Sequence, residues 1–213
     1  MQVQKMNKEQ LLLYAVTDRS YLHGISLEEA VKEAILGGAG TVQIREKDMD
    51  EDALRKEAAS VREVCRKYGA LLILDDNVSL VKELDLDGVH LGQNDMPASE
   101  ARKILGPDKI IGVTAKTIEQ ARKAYADGAD YLGSGAMFAT STKPGALPMT
   151  CEQLRQIAEC VPIPVVAIGG IGIGNISGLK GCGIAGAAVS EGIFAAGNIR
   201  EACRLLRKAA EEL

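Results

Sequence analysis

Tryptophan is absent, and aromatic residues make up only 3% of the chain. Single-stranded nucleic acid is held largely on stacked aromatic side chains, so that class of binder is disfavoured. A basic excess is missing too. The net charge is −4, whereas a binder of polyanions normally carries surplus Lys and Arg. Any phosphate site must therefore be a local concentration of donors. No C-x-x-C occurs, and the five cysteines (Cys65, Cys151, Cys160, Cys182 and Cys203) are odd in number and widely spaced. This argues against a disulfide framework and a zinc ribbon, and fits a reducing cytoplasm. Long apolar runs are lacking as well. Leu11–Val16, behind Lys5 and Lys8, is too short for a signal segment or a membrane span.

What is present is an ordinary globular composition, 46% apolar and 25% charged over 213 residues. Short apolar runs alternate with helix-period segments. The expected strands are 11–16, 41–44, 71–74, 88–90, 110–113, 131–133, 165–168 and 187–190. Helical patterns fall at 26–37, 50–68, 78–84, 98–105, 117–127, 150–160, 176–180 and 198–213. Ser26 with Glu29 three residues on predicts a capping box. Most strands are apolar throughout, as in buried parallel sheets. Eight β–α alternations without a Pro- or Ser-rich linker predict an α/β fold, a single (β/α)8 TIM barrel over residues 1–213. A doubly wound sheet is the alternative. Against it, the glycines from Gly169 to Gly174 follow a late strand, whereas a dinucleotide fingerprint usually opens the fold. Gly38-Ala39, Gly69-Ala70, Gly128-Ala129 and Gly186-Ala187 are each expected to end a helix at a left-handed Gly before a strand.

In such a barrel, function sits at the C-terminal strand ends. Thr17-Asp18, the segment 43–47, Asp75-Asp76-Asn77, His90 with Gln93 and Asp95, Thr114, Thr140–Lys143, Gly169-Gly170 and Ser190 all fall there. Gln43, Arg45 and Lys47 alternate on an extended chain and face one way. Two cations in a cleft call for an anion, unless they pair with Glu46 or Asp48 on the surface. Asp76 and Asp95 end consecutive strands, and two carboxylates near cations suit Mg²⁺. Helix capping fits Asp75, Asp76 and Asn77 equally well, with Asp75 as cap and Asp76 serving the metal as one division. His23 and His90 make no catalytic set with Ser, Cys and Asp. Cys65, Cys160 and Cys203 read as buried fillers. Backbone around Gly170 and Ser190 is expected to form a phosphate pocket. Thr140-Ser141-Thr142-Lys143 offers three hydroxyls beside one ammonium, a donor set for a phosphate.

The stretches Tyr14–Asp18, Gln43–Lys47 (QIREK), Asp87–Gln93 (DGVHLGQ) with Asp95, Gly128–Gly133 (GADYLG), Thr140–Lys143 (TSTK) and Val165–Ile171 (VVAIGGI) together resemble the thiamine-phosphate synthase family. The resemblance runs in order through nearly the whole chain. It implies a transferase of thiamine biosynthesis that joins hydroxymethylpyrimidine diphosphate to thiazole phosphate with Mg²⁺, through a dissociative, carbocation-like reaction. It implies that Gln43, Ile44, Arg45, Glu46 and Lys47 hold the pyrimidine diphosphate, with Lys143 on its phosphates. Asp75 and Thr114 would meet the pyrimidine, and Asp76 and Asp95 the metal. Thr140, Ser141 and Thr142 match the thiazole-phosphate loop, and Gly170, Val189 and Ser190 the phosphate pocket. Lys143, Arg45 and Thr114 would carry the catalysis. Both partners are small molecules, with no nucleic acid and no membrane; the oligomeric state stays open, a homo-oligomer being one outcome. The chain departs from the family's usual pattern at Asp75 (usually Asn), Asn77, Thr114 (usually Ser) and Ala139 (usually Pro). Two other readings stand beside the synthase: a thiazole tautomerase-like paralogue and a non-catalytic phosphate-binding barrel.

Overall fold

The computed structural model describes residues 6–22, 24–47, 49–139 and 148–213. Eight parallel strands close into a barrel in chain order. They are β1 Leu13–Val16, β2 Thr41–Ile44, β3 Leu71–Asp75, β4 Gly88–Leu91, β5 Ile110–Thr114, β6 Tyr131–Gly135, β7 Val165–Ile168 and β8 Gly186–Val189. The ring is shut by β8 on β1, with Leu13 beside Ala187 and Ala15 beside Val189. Around it lie α1 Lys8–Leu12, α2 Leu27–Leu36, α3 Glu51–Tyr68, α4 Val78–Glu83, α5 Ala98–Leu105, α6 Ile118–Ala126, α7 Cys151–Glu159, α8 Glu191–Phe194 and α9 Ile199–Ala210. The expected (β/α)8 barrel is therefore the observed one. No helix among the described residues is long and apolar enough to cross a membrane.

Strand alternation divides the core in two. Tyr14 and Val16 turn into the barrel, with Ile73, Ile110, Tyr131, Val166 and Ala188. Leu13 and Ala15 turn outward, as do Val42, Ile44, Leu72 and Leu74, against the helices. The helices return one apolar stripe each. On α3 it is Leu54, Ala58, Val61 and Cys65; on α9 it is Ile199, Cys203, Leu206 and Ala210. Both stripes keep the three-to-four-residue spacing of a single helix face.

Several local expectations need correction. Leu11 and Leu12 belong to α1, not to β1. Asn7 and Gln10 form a capping box that starts this short helix, and Leu11 closes the floor of the barrel with Met6. An unbroken apolar run hides where helix passes into strand. Ser26 does cap α2 by accepting from the Glu29 N–H at 3.2 Å. The Glu29 carboxylate, however, pairs with Lys32 at 3.1 Å instead of completing a box. Gly38, Gly69 and Gly128 take positive φ as expected, whereas Gly186 is a strand residue. The helix α8 was not expected.

The cysteines also differ from expectation. Cys151, at the start of α7, is bonded to Cys182, with their Cα atoms 5.1 Å apart. The residues lie 31 apart in sequence and meet only through the barrel's curvature, which spacing alone does not show. Cys65 and Cys203 are buried fillers on their helices, while half-buried Cys160 caps the end of α7.

Candidate active site

A cavity of about 480 Å³ opens at the C-terminal ends of the strands. Gln43, Arg45 and Lys47 all line it, as a two-residue period on extended chain requires. The chain past β2 is held by Thr17, whose buried Oγ1 accepts from the Arg45 N–H at 3.1 Å. Arg45 Nε lies 3.6 Å from Asp75 Oδ2, and Lys47 Nζ 3.7 Å from Asp76 Oδ2. The cations thus pair with carboxylates at the end of the neighbouring strand β3 and not with Glu46; Asp48 lies outside the described residues. Ile44 and Glu46 alternate the other way. Ile44 is fully buried among outer core residues, and Glu46 Oε2 meets Arg19 at 3.4 Å. Their side chains do not line the cavity, so any contact they make with a ligand there is through backbone.

The carboxylates stand at the ends of β3 and β4. Asp75 is the last residue of β3, and the cap of α4 is Asn77, whose Oδ1 accepts from the Leu80 N–H at 2.9 Å. Asp76, between them, has φ of 60°, a left-handed conformation that Asp tolerates better than most residues. Its N–H donates to the His90 carbonyl at 2.9 Å. That bond and the Asn77 cap hold the turn and aim Asp76 into the cavity. Asp95 Oδ2 accepts from the Gly92 N–H at 2.7 Å. Asp76 is pushed up to about 7, first by partial burial, then by its hydrogen bond with Asp95 and by the negative charges of Asp75 and Asp95, with Lys47 opposing. Crowding of carboxylates in this way disfavours their both being charged without a neutralising partner. Among the described residues no set of three or more acidic, His or Cys groups gathers as a metal cluster.

The cavity floor carries His90 and Thr114 beside Gln43. His90 Nε2 lies 3.0 Å from Thr114 Oγ1. Gly133 faces His90, and a Cβ there would stand 3.1 Å from the imidazole Cε1. On the far side, Gly169 and Gly170 take φ of 97° and 66°. A Cβ on Gly170 would meet the Ala139 carbonyl oxygen at 2.3 Å, so only glycine lets these two loops close on each other. Asn175 fixes the turn, accepting from the Gly172 N–H at 2.9 Å and donating to the Gly170 carbonyl at 2.8 Å. Ser190 lines the cavity, and its Oγ is buried without a partner among the described residues. Val189 is buried in the outer core and does not line the cavity.

Thr140, Ser141, Thr142 and Lys143 lie outside the described residues, as does His23. Of the remaining named residues, Gln43, Arg45, Lys47, Asp75, Asp76, Asp95, Thr114, Gly170 and Ser190 line one cavity, and Ile44, Glu46 and Val189 do not. Sequence reading missed Lys116, Asn175 and Glu191, which also line it. Lys116 stands two residues beyond Thr114, the same alternation that picked out Arg45 and Lys47. Asn175 follows the Gly-rich turn, a position suited to an Asx bond. Glu191 left no signal distinct from a helix start.

Fold and mouth together define a (β/α)8 barrel whose C-terminal end gathers cations, carboxylates and glycine backbone in one cavity. The sequence profile of the thiamine monophosphate synthase family matches residues 13–193. Thiamine-phosphate synthase of Clostridium botulinum (strain Eklund 17B) is 42% identical over 97% of this chain and 97% of its own. That of Clostridium tetani is 44% identical over 91% and 93%. The structure of thiamine phosphate pyrophosphorylase from Pyrococcus furiosus superposes with a TM-score of 0.88 at 39% identity, covering 96% of this chain and 98% of that one. The chain belongs to the thiamine monophosphate synthase family and is an enzyme, a transferase.

Proposed function

We propose that this chain joins hydroxymethylpyrimidine diphosphate to thiazole phosphate, giving thiamine phosphate and pyrophosphate with Mg²⁺. One observation carries the reading. A single cavity has Arg45, Lys47, Asp76 and Asp95 on one side and the Gly170–Ser190 backbone on the other, which amounts to two anion sites facing each other. The diphosphate lies against Arg45 and Lys47, with Lys143 contributing from the adjoining loop. The thiazole phosphate meets Gly170 and Ser190; Thr140, Ser141 and Thr142, outside the described residues, are the hydroxyls the family resemblance assigns to it. Ser190 Oγ, buried and without a partner among the described residues, suits such an oxygen. Asp76 and Asp95 would hold Mg²⁺, which supplies charge neutralisation for the pyrophosphate group.

In the reaction the C–O bond between the pyrimidine methylene and the diphosphate breaks, and its electron pair leaves with pyrophosphate. The thiazole nitrogen then gives its lone pair to the methylene carbon, forming the C–N bond. No protein nucleophile is required. The residues act by charge. Arg45, Lys47 and Lys143 stabilise the leaving anion as it develops, which is where electrostatic catalysis is strongest. Gln43, Asp75 and Thr114 orient the ring. Asp75, beside Arg45, accepts where the family's usual amide would also donate. We place the enzyme in the cytoplasm as one domain over residues 1–213.

The test is pyrophosphate release on mixing protein, both substrates and Mg²⁺, omitting each in turn. Release that needs all three components is the expected result. No release in any mixture, with thiazole phosphate still bound, would assign the chain to the tautomerase-like paralogues or to non-catalytic binding.

A further inference from the structure

Beneath the cavity runs a line of polar atoms whose interior members, Tyr14, Tyr131 and His90, have no part in the reaction above. Gln43 Nε2 donates to Tyr14 Oη at 3.0 Å. Tyr14 Oη lies 2.8 Å from Tyr131 Oη. Tyr131 Oη lies 2.9 Å from His90 Nδ1, and His90 Nε2 lies 3.0 Å from Thr114 Oγ1. The line crosses the barrel interior through five strands, β2, β1, β6, β4 and β5. Both tyrosines are at most 1% exposed. Burial pushes both phenols above their ordinary range, so both remain O–H groups at neutral pH. Space for the line is made by glycine. A Cβ on Gly112 would fall 2.1 Å from Tyr131 Cζ.

The chemistry of each member gives the line a direction. A hydroxyl has one hydrogen, and a neutral imidazole donates at one nitrogen and accepts at the other. If Gln43 donates to Tyr14, then Tyr14 donates to Tyr131, Tyr131 to His90 Nδ1, and His90 Nε2–H to Thr114. The Thr114 hydrogen is then left to point at the cavity, and Gln43 keeps its carbonyl oxygen for it. Turning the Gln43 amide reverses every bond in the line. Thr114 then offers only lone pairs and Gln43 offers N–H. A break in the sense of the line would leave a hydroxyl hydrogen buried without an acceptor, which is costly in a low-dielectric interior.

We propose that Tyr14, Tyr131 and His90 are positioning residues, forming one directional hydrogen-bond line that makes Gln43 and Thr114 present complementary groups, one acceptor and one donor, to the pyrimidine ring. An aminopyrimidine offers an amino donor beside a ring-nitrogen acceptor, so it needs such a pair and rejects two groups of the same kind. The inference rests on the reading that Gln43 and Thr114 face the pyrimidine. It adds that neither sets its own polarity.

The experiment is a set of variants assayed with each substrate varied separately. Tyr131→Phe removes the central hydroxyl and keeps the ring beneath Gly112. The expected result is a rise of about tenfold in KM for the pyrimidine diphosphate, roughly 1.4 kcal/mol, with KM for the thiazole phosphate unchanged. Tyr131→Phe should also relax discrimination against an oxo-pyrimidine analogue, because the pair is no longer locked. Gln43→Ala and Thr114→Val should be non-additive in the wild-type background and additive in Tyr131→Phe. If Tyr131→Phe fails to fold, Tyr14→Phe breaks the same line one member nearer Gln43. Additive Gln43 and Thr114 effects in the wild type, or a KM rise for both substrates with unchanged ring discrimination, would overturn the proposal and leave the line a structural one. A different result, Gln43→Ala and Thr114→Val leaving the pyrimidine KM untouched, would instead remove the pyrimidine reading beneath it.

Discussion

Gly92→Ala is the most selective perturbation the site allows. Gly92 lies just past β4, with its N–H bonded to Asp95 Oδ2 at 2.7 Å. A Cβ built there would stand 2.6 Å from that same oxygen and 3.7 Å from Asp95 Cγ, with nothing else within 4 Å. The backbone is not in the left-handed region, so alanine meets no conformational penalty. The obstacle is the far end of a mobile side chain. Asp95 can swing aside, and the fold loses little: about 1 kcal/mol or less, as for most surface substitutions. The site loses more. A hydrogen bond to a charged group contributes roughly 1.5–3 kcal/mol, and the carboxylate that loses it also leaves its position beside Asp76. If Asp95 shares a cation with Asp76, the Mg²⁺ concentration for half-maximal turnover should rise about 10- to 100-fold, in step with that energy.

The assay is pyrophosphate release against Mg²⁺ concentration at saturating substrates, beside a thermal melt. A large rise in the Mg²⁺ requirement with a melting temperature within about 3 °C of wild type is the expected pair of results. An unchanged Mg²⁺ curve would refute the reasoning, because it would mean that a displaced Asp95 costs the cation nothing. A large drop in melting temperature would mean instead that Asp95 cannot yield and that the loop has moved.

Two further outcomes follow from other parts of the structure. Arg45→Ala should raise KM for the pyrimidine diphosphate by roughly thirtyfold or more, the effect of about 2 kcal/mol from truncating one partner of a desolvated charge contact, while KM for the thiazole phosphate shifts by about twofold at most; equal shifts would show that the two anion sites are not separate. Protein denatured without reductant should alkylate at Cys65, Cys160 and Cys203, and at Cys151 and Cys182 only after reduction, with loss of the cross-link costing roughly 3–4 kcal/mol for a loop of this length; alkylation of all five without reductant would show the pair as thiols, the state expected in a reducing cytoplasm.

What the chain disclosed before its structure follows from periodicity. Strands buried on both faces are apolar throughout, so eight such runs separated by helical stripes announced the barrel. Its strand ends then named where chemistry should be sought. Arg45 and Lys47 were legible because a two-residue period on extended chain leaves no choice of face. Their partners were not legible. Asp75 ends the neighbouring strand β3 and Asp76 follows it, distant in sequence, and nothing local distinguishes that pairing from one with Glu46. The same limit applied to Asn77. Three consecutive cap-forming residues precede α4, and only the positive φ at Asp76 shows which of them caps and which is aimed inward.

The floor of the cavity was the least legible part, for a reason that extends beyond this chain. Tyr14 and Tyr131 lie in buried runs, where a tyrosine has the same sequence signature whether its hydroxyl is an incidental passenger or a member of a line. Period and polarity assign both to the core, and the core is where they are. What sequence cannot register is that two inward residues on strands 117 positions apart bring their oxygens to 2.8 Å, or that Gly112 is a glycine because the Tyr131 ring occupies its Cβ space. Closure of the barrel is what turns five separate strand residues into one hydrogen-bonded line. The property that line would confer, one sense of donation from Gln43 to Thr114, belongs to no member singly.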